Sequence, residues 1–199
     1  MSGLEVKRVS PPPVSRSEVM RYLGVKEEYE GFAELYEKAL AILSDKVKSS
    51  VVFRVMDCRV EDTSVTLGDA VIASRSLARL LSECDTAIIA AATVGRELDI
   101  LQAKYMRTSA ALSVVIGAVG SERIEAIMDS FEAEISLAFG ELTVRYSPGY
   151  GDLPIEFQRK CFSWLNPERY IGLTLSDSLM MTPSKSVSAI IGIKKVTKP

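Results

Sequence analysis

The stretch Arg145-Tyr146-Ser147-Pro148-Gly149-Tyr150 concentrates the chemistry this chain can offer a ligand. Arginine presents a planar five-donor fork suited to a carboxylate. Ser-Pro-Gly opens a turn in which glycine lets a ligand approach the backbone closely. The tyrosine beside it can cover a planar base or the mouth of a pocket. The same residues serve equally as a plain strand-to-helix turn with a surface arginine and a packing tyrosine. Upstream, Glu125, Asp129 and Glu132 recur at helical spacing and read as a solvated helix face. The chain has 0 histidines, which excludes Ser-His-Asp and Cys-His nucleophile pairs, His-ligated zinc and an imidazole relay. Chemistry falls to carboxylates, Arg, Tyr, Cys, backbone groups or a bound cofactor.

Other features carry less. Val94-Gly95-Arg96-Glu97 follows an apolar strand, but one glycine is not a dinucleotide fingerprint. Cys58, Cys84 and Cys161 are far apart and odd in number, so free thiols in a reducing compartment are expected. Cys161 falls on the inner side of its helix and reads as inert. Ser186 and Ser188 lack an accompanying base. Met180, Met181 and Trp164 read as core.

These residues need a scaffold. The prolines Pro11-Pro12-Pro13 separate an alternating segment, Leu4–Val9, from the first helix and make a stiff connector. Ser15 or Ser17 caps a helix through Tyr22 that stops at Gly24. A longer helix is predicted from about Glu28 to Val47, with Phe32, Leu35, Ala39, Leu40 and Leu43 on one face. A strand over Ser50–Val60, a turn at Glu61-Asp62 and a second strand near Val65–Leu67 follow. A short helix around Leu77–Leu81 opens at Ser74 or Ser76. Thr86–Thr93 is a continuous apolar run, read as a buried central strand. Helices over Arg96–Tyr105 and Ser109–Phe139 come next, the latter with a break at Gly117 or Gly120. Leu142–Tyr146 reads as a strand, Glu156–Leu165 as a helix and Ser186–Val196 as the last strand. This order lacks strict βαβ alternation, so the expected fold class is α+β, one domain with a mixed, mainly antiparallel twisted sheet and flanking helices. Residues 1–14 are expected to form an N-terminal arm and 15–199 the domain.

The 199 residues include 24 basic and 26 acidic side chains, a formal charge of −2. No basic footprint for nucleic acid is present. Met1–Arg8 lacks the apolar core of a signal peptide, and no apolar run is long enough to cross a bilayer. A cytoplasmic chain with no membrane or nucleic-acid partner is expected.

Two motifs in order resemble one family. Arg145-x-x-Pro148-Gly149-Tyr150 followed by a helix looks like the S-adenosylmethionine-binding motif in the activation domain of cobalamin-dependent methionine synthase. Leu175-Ser176-Asp177-Ser178, then Met181, Pro183 and Ser186-Val187-Ser188, matches its second motif. The resemblance covers roughly residues 120–195. It implies a stand-alone activation protein for a methionine synthase lacking this domain, with a flavodoxin or other electron donor as a further partner. The implied chemistry is reductive methylation of cob(II)alamin to methylcobalamin, the cobalamin carried by the partner and the methyl group supplied by bound S-adenosylmethionine. Arg145 would pair with the ligand carboxylate, backbone near Ser147 and Gly149 would bond the adenine or ribose, and Tyr150 would lie near the methyl group. Glu125 aligns with a helical carboxylate that contacts the ligand. The implied docking surface is Tyr150 with Ser184–Ser188.

Departures from the family pattern are also visible. The Tyr-rich segment that follows Ser-Val-Ser in the fused enzymes has no counterpart before Pro199, and Ala189 stands where glycine is usual. The N-terminal acidic contact falls to Asp57, Glu61 or Asp62 without a ranking. The alternative function is therefore a non-catalytic binding or scaffold module of the same fold that has lost S-adenosylmethionine.

Overall fold

The computed structural model describes residues 3–195. In chain order it comprises β1 (Leu4–Arg8), α1 (Arg16–Leu23), α2 (Phe32–Leu43), β2 (Ser50–Glu61), β3 (Ser64–Leu67) and β4 (Ala70–Ala73). Next come α3 (Arg75–Leu80), β5 (Cys84–Thr93), α4 (Glu97–Met106) and α5 (Ala110–Phe139). The last third holds α6 (Phe157–Leu165), α7 (Pro167–Ile171), β6 (Thr174–Leu175), β7 (Met181–Thr182) and β8 (Ser186–Lys194).

The fold class is α+β. The main sheet has the order β4-β3-β2-β5-β8, with β1 beside β2, and its pairings are antiparallel. β5 explains the apolar run seen in the sequence. Its Ile88, Ala90 and Ala92 face one core, shared with α2 and α5, while Ala87, Ile89 and Ala91 face the other, beneath α3 and α6. A strand covered by helices on both faces has no solvent side, so alternation disappears. Phe53 of β2 meets Phe131 of α5 edge-on, with ring centroids 5.2 Å apart. Both rings are fully buried, and each contributes on the order of 1.5–3 kcal/mol of transfer free energy.

Local signals set the helix ends. The Ser15 hydroxyl accepts from the Glu18 N–H and caps α1, which stops at the left-handed Gly24. Ser74 caps α3 in the same way, accepting from the Leu77 N–H. α2 is shorter than its periodicity predicts, because Gly31 sits at φ 81° and ends any helix arriving from Glu28.

Three further expectations are corrected. α5 runs unbroken through Gly117 and Gly120. These glycines are not breakers: a Cβ at Gly120 would meet the Leu98 side chain of α4 at 2.6 Å, and one at Gly117 the Gln102 side chain at 2.5 Å. Their bare backbone lets α4 lie close against α5. Leu142–Tyr146 is not a strand but touches β8 through two isolated bridges, Leu142 to Ile193 and Tyr146 to Ile190. Met180 is 67% exposed rather than core, because it sits at the projecting tip of the β6–β7 hairpin, where its carbonyl accepts from the Ser176 N–H. β8 is seen through Lys194, and Val196 lies outside the described residues.

The proline segment is tied down. Arg123 and Glu122 form a buried ion pair on α5, 8% and 5% exposed. Arg123 also donates to the Pro12 carbonyl at 2.6 Å, and Glu122 accepts from the Ser15 N–H at 3.0 Å. Residues 4–8, read from the sequence as an arm, pair with β2 as an edge strand.

Candidate functional site

Glu125, Asp129 and Glu132 occupy one face of α5, and the chain beyond the helix returns to lay Arg145 across them. Arg145 Nη1 donates to Asp129 Oδ1 and Glu132 Oε1, both at 2.7 Å, and Nη2 donates to Glu125 Oε2 at 2.6 Å. The face read as solvated is therefore a binding face for an arginine. The Arg145 side chain is 23% exposed, Glu132 21%, Glu125 43% and Asp129 66%. Burial works against the charge on Arg145, but its three carboxylates outweigh that and raise its pKa. Burial pushes the Glu132 carboxyl above the ordinary carboxylate range, with Arg145 opposing it. The three acids and one guanidinium leave the cluster with a net charge of −2 when all are ionised. Nε of Arg145 takes no part in these bonds, so the Nε edge of the fork still offers a donor.

The loop that follows is rigid for visible reasons. Tyr146 exchanges backbone hydrogen bonds with Ile190 of β8 at 2.9 and 2.8 Å. Its hydroxyl donates to the Tyr150 carbonyl at 2.9 Å, and the two rings meet edge-on at 6.2 Å. Gly149, at φ 93°, donates to the Leu153 carbonyl at 2.9 Å, and Tyr150 donates to the Ser147 carbonyl at 3.1 Å. Gly151, at φ 53°, has no room for a Cβ, which would collide with the Tyr146 hydroxyl. Tyr150 is held at the surface by these contacts and is 62% exposed.

Asp152 closes the loop. It accepts from the Ser74 hydroxyl at 2.6 Å and from the Arg75 and Ser76 N–H groups at 2.7 and 3.2 Å. These bonds, the Ser74 hydroxyl foremost, hold its carboxyl at about 2. The sequence alone does not single out Asp152. The Gly-Asp after Tyr150 was its only local signal, because its partners lie far back in the chain.

Of the residues singled out beforehand, Arg145 and Glu125 come into direct contact, and Ser147, Gly149 and Tyr150 share the adjoining turn. Glu125 and Asp129 also line a cavity of about 420 Å³ whose other acids are Glu18 and Glu122, with Tyr22 at its wall. Asp57 is elsewhere: it lines a different cavity of about 750 Å³ beside Arg54 and Arg59. Glu61 closes β2 opposite Ser64, and Asp62 takes the turn at φ 48°. Within Ser184–Ser188, Ser184 donates to Asp99 twice, Lys185 to Ser121 and Ser186 to Thr93. Ser188 is buried.

The three cysteines are free and buried. Burial pushes the Cys161 thiol up to about 12 and Cys58 to about 11, so neither is a thiolate nucleophile at neutral pH. Among the described residues no acidic or thiol cluster is arranged to hold a metal ion, and no helix is long and apolar enough to cross a membrane.

Helices on both faces of an antiparallel sheet, with an arginine-led loop hung on its last strand, define the fold as that of a methionine synthase reactivation domain. The crystal structure of the MetH reactivation domain bound to AdoHcy superposes with a TM-score of 0.73, covering 99% of this chain and 80% of that one at 14% identity. Residues 130–198 match the model of the family described as vitamin B12 dependent methionine synthase, activation domain. That match contains both motifs on which the sequence resemblance rests, and the resemblance is borne out. No curated protein matches the sequence.

Proposed function

We propose that this chain binds S-adenosylmethionine at the Arg145 loop and serves as the activation partner of a cobalamin-dependent methionine synthase that lacks this domain. The observation that carries the reading is the Arg145–Tyr150 loop, preformed and braced on β8 within the segment that matches the activation-domain family. The residues fit the ligand's polar end. The Nε edge of Arg145 offers a donor to a carboxylate, and Glu125 stands beside it for an α-ammonium group. In this reading the turn at Ser147 and Gly149, whose Ser147 carbonyl and Gly149 N–H already bond within the loop, would lie beside the adenosine, and the exposed Tyr150 near the methyl group.

This chain's contribution is positioning. A methyl group held at a fixed place beside a nucleophile reacts as if at very high local concentration. The corrinoid, carried by the partner, supplies that nucleophile, so no protein base is needed here and the lack of histidine costs nothing. An electron donor such as a flavodoxin would serve the partner rather than this site. A cytoplasmic setting is consistent with the buried free thiols.

Docking falls on the exposed Tyr150. The Ser184–Ser188 segment contributes less than its sequence suggested, because Ser184, Lys185 and Ser186 are engaged internally and Ser188 is buried. The non-catalytic alternative is favoured by one observation: both Nη atoms of Arg145 are already bonded to protein carboxylates. Calorimetry separates the two readings. Binding of S-adenosylmethionine that weakens about tenfold or more in Arg145→Ala, the scale of a lost charged hydrogen bond, supports the first. Absent binding, or binding insensitive to that substitution, establishes the second.

A further inference from the structure

The cavity of about 750 Å³ beside Asp57 lies where the sheet is interrupted. β1 pairs with β2 only as far as Arg54, and β3 takes up the pairing at Cys58. Residues 55–57 of β2 have β5 on one side and, among the described residues, no strand on the other. Successive side chains of a strand point to opposite faces. At this break Arg54 and Met56 from one face and Asp57 and Arg59 from the other line a single cavity. Asp85 joins them from β5. It is the residue at which the β5–β8 register shifts, between Cys84 and Thr86, and a bulge of this kind re-aims a side chain.

The charges in this cavity are unpaired. Among the described residues, the side chains of Arg54, Arg59, Asp57 and Asp85 take part in no hydrogen bond or ion pair, whereas Arg145 and Lys160 elsewhere hold carboxylates at 2.7 and 2.6 Å. Arg54 carries the sharper signal, because its Nε is buried with no acceptor. Leaving a buried donor unsatisfied forfeits its hydration without return, and buried donors in folded proteins are overwhelmingly paired. Arg16 shares the orphaned Nε, but its guanidinium lies over Phe32 and Tyr36 and its Nη2 bonds Glu28. For Arg54 the missing acceptor has to come from outside the chain.

Two guanidiniums and two carboxylates sum to zero when all are ionised. A phosphate or other simple anion entering the cavity meets Asp57 and Asp85, and a simple cation meets Arg54 and Arg59. Only a ligand carrying both signs satisfies the whole set. Met56 and the buried Cys58 add apolar surface to the wall. We infer that this cavity binds a free α-amino acid with an aliphatic side chain: its carboxylate on Arg54, its ammonium on Asp57 and Asp85, and its side chain against Met56. The site shares no residue with the Arg145 loop and does not rest on the function proposed for that loop.

The test is calorimetric titration of the full chain with L-leucine, L-valine and L-norleucine, and then with the amide and the deamino acid of the tightest binder. At least one of the three is expected to bind with millimolar affinity or better. Each analogue lacks one of the two charges and is expected to bind about tenfold more weakly, the scale of a lost charged hydrogen bond. Arg54→Met keeps an apolar stem and removes a buried donor, so the variant is expected to fold. It should weaken the amino acid about tenfold and leave the amide unaffected. Replacing both acids, Asp57→Asn with Asp85→Asn, should weaken the amino acid and leave the deamino acid unaffected. Arg145→Ala should change none of these affinities. No binding by any of the three amino acids, equal affinity for the amino acid and its analogues, or affinities unmoved by the Arg54 and Asp variants overturn the inference. Loss of binding in Arg145→Ala overturns it as well, by placing the ligand at the other site.

Discussion

The Asp152 carboxylate and the Ser74 hydroxyl lie 2.6 Å apart across a sequence separation of 78 residues. Ser74 is thereby used twice. It accepts from the Leu77 N–H to cap α3, and it donates to Asp152 to anchor the loop that carries Arg145 and Tyr150. One serine couples the start of α3 to the position of the candidate site.

That coupling has a pH signature. The Asp152 carboxyl titrates at about 2 in the folded chain, below the ordinary value near ~3.9. A depressed carboxylate pKa contributes stability above the ordinary value, and the contribution disappears as pH falls through the folded value. Asp152→Asn should melt below the wild type at neutral pH and converge with it between about pH 4 and pH 2. Thermal melts of both proteins across that range check this; a gap that persists below pH 2 would show that the charge is not what holds the loop. Ser74→Ala should cost about 1 kcal/mol as a lost cap.

The two glycines of α5 should respond in opposite ways to alanine. At Gly120 the new methyl meets the fully buried Leu98, which has no free volume to move into. Gly120→Ala is expected to destabilise by about 1–3 kcal/mol through overpacking. At Gly117 the methyl meets the amide end of Gln102, a flexible and half-buried side chain. There the gain in helix propensity, up to about 1 kcal/mol, should prevail. Urea denaturation of the two variants decides the matter, and a Gly120→Ala variant as stable as the wild type would refute the close-packing explanation.

The Glu122–Arg123 pair predicts a third outcome. Arg123→Leu leaves a buried carboxylate unpaired and the Pro12 carbonyl without its donor, at a cost of about 3–5 kcal/mol. Replacing both members by apolar residues should restore much of the loss. Denaturation midpoints for the single and double variants test this, together with the rate of proteolysis between Pro13 and Ser15.

Tyr150 separates folding from function. With most of its side chain in solvent, Tyr150→Ala should leave the melting temperature nearly unchanged while weakening association with the proposed corrinoid-carrying partner. Loss of stability without loss of association would move the docking surface elsewhere.

Much of the scaffold was legible because it rests on local periodicity. β5 showed as an unbroken apolar run, α5 as a long helical stripe, and α1 as a capped helix ending at glycine. β4 was not legible, because Ala70–Ala73 is four residues long and gains its strand conformation from pairing with β3. The candidate site divided along the same line. Helical spacing placed Glu125, Asp129 and Glu132 together, but nothing local says which cation will reach them. Only the return of the chain after Phe139 brings Arg145 there. Asp152 was illegible for the same reason, since its acceptor role is defined by Ser74, Arg75 and Ser76, 76 to 78 residues earlier in the chain.

The Tyr146–Ile190 bridge bears on the order in which the molecule matures. A nascent chain emerges N-terminus first, so residues 145–150 leave the ribosome before the strand that braces them. β2, β5 and α5 can pair and pack while β8 is still being made, but the loop has no frame until β8 slides in beside β5. An ordered loop thus waits on the synthesis of β8. A chain stalled or cleaved ahead of β8 would keep much of its core yet have no organised loop to present.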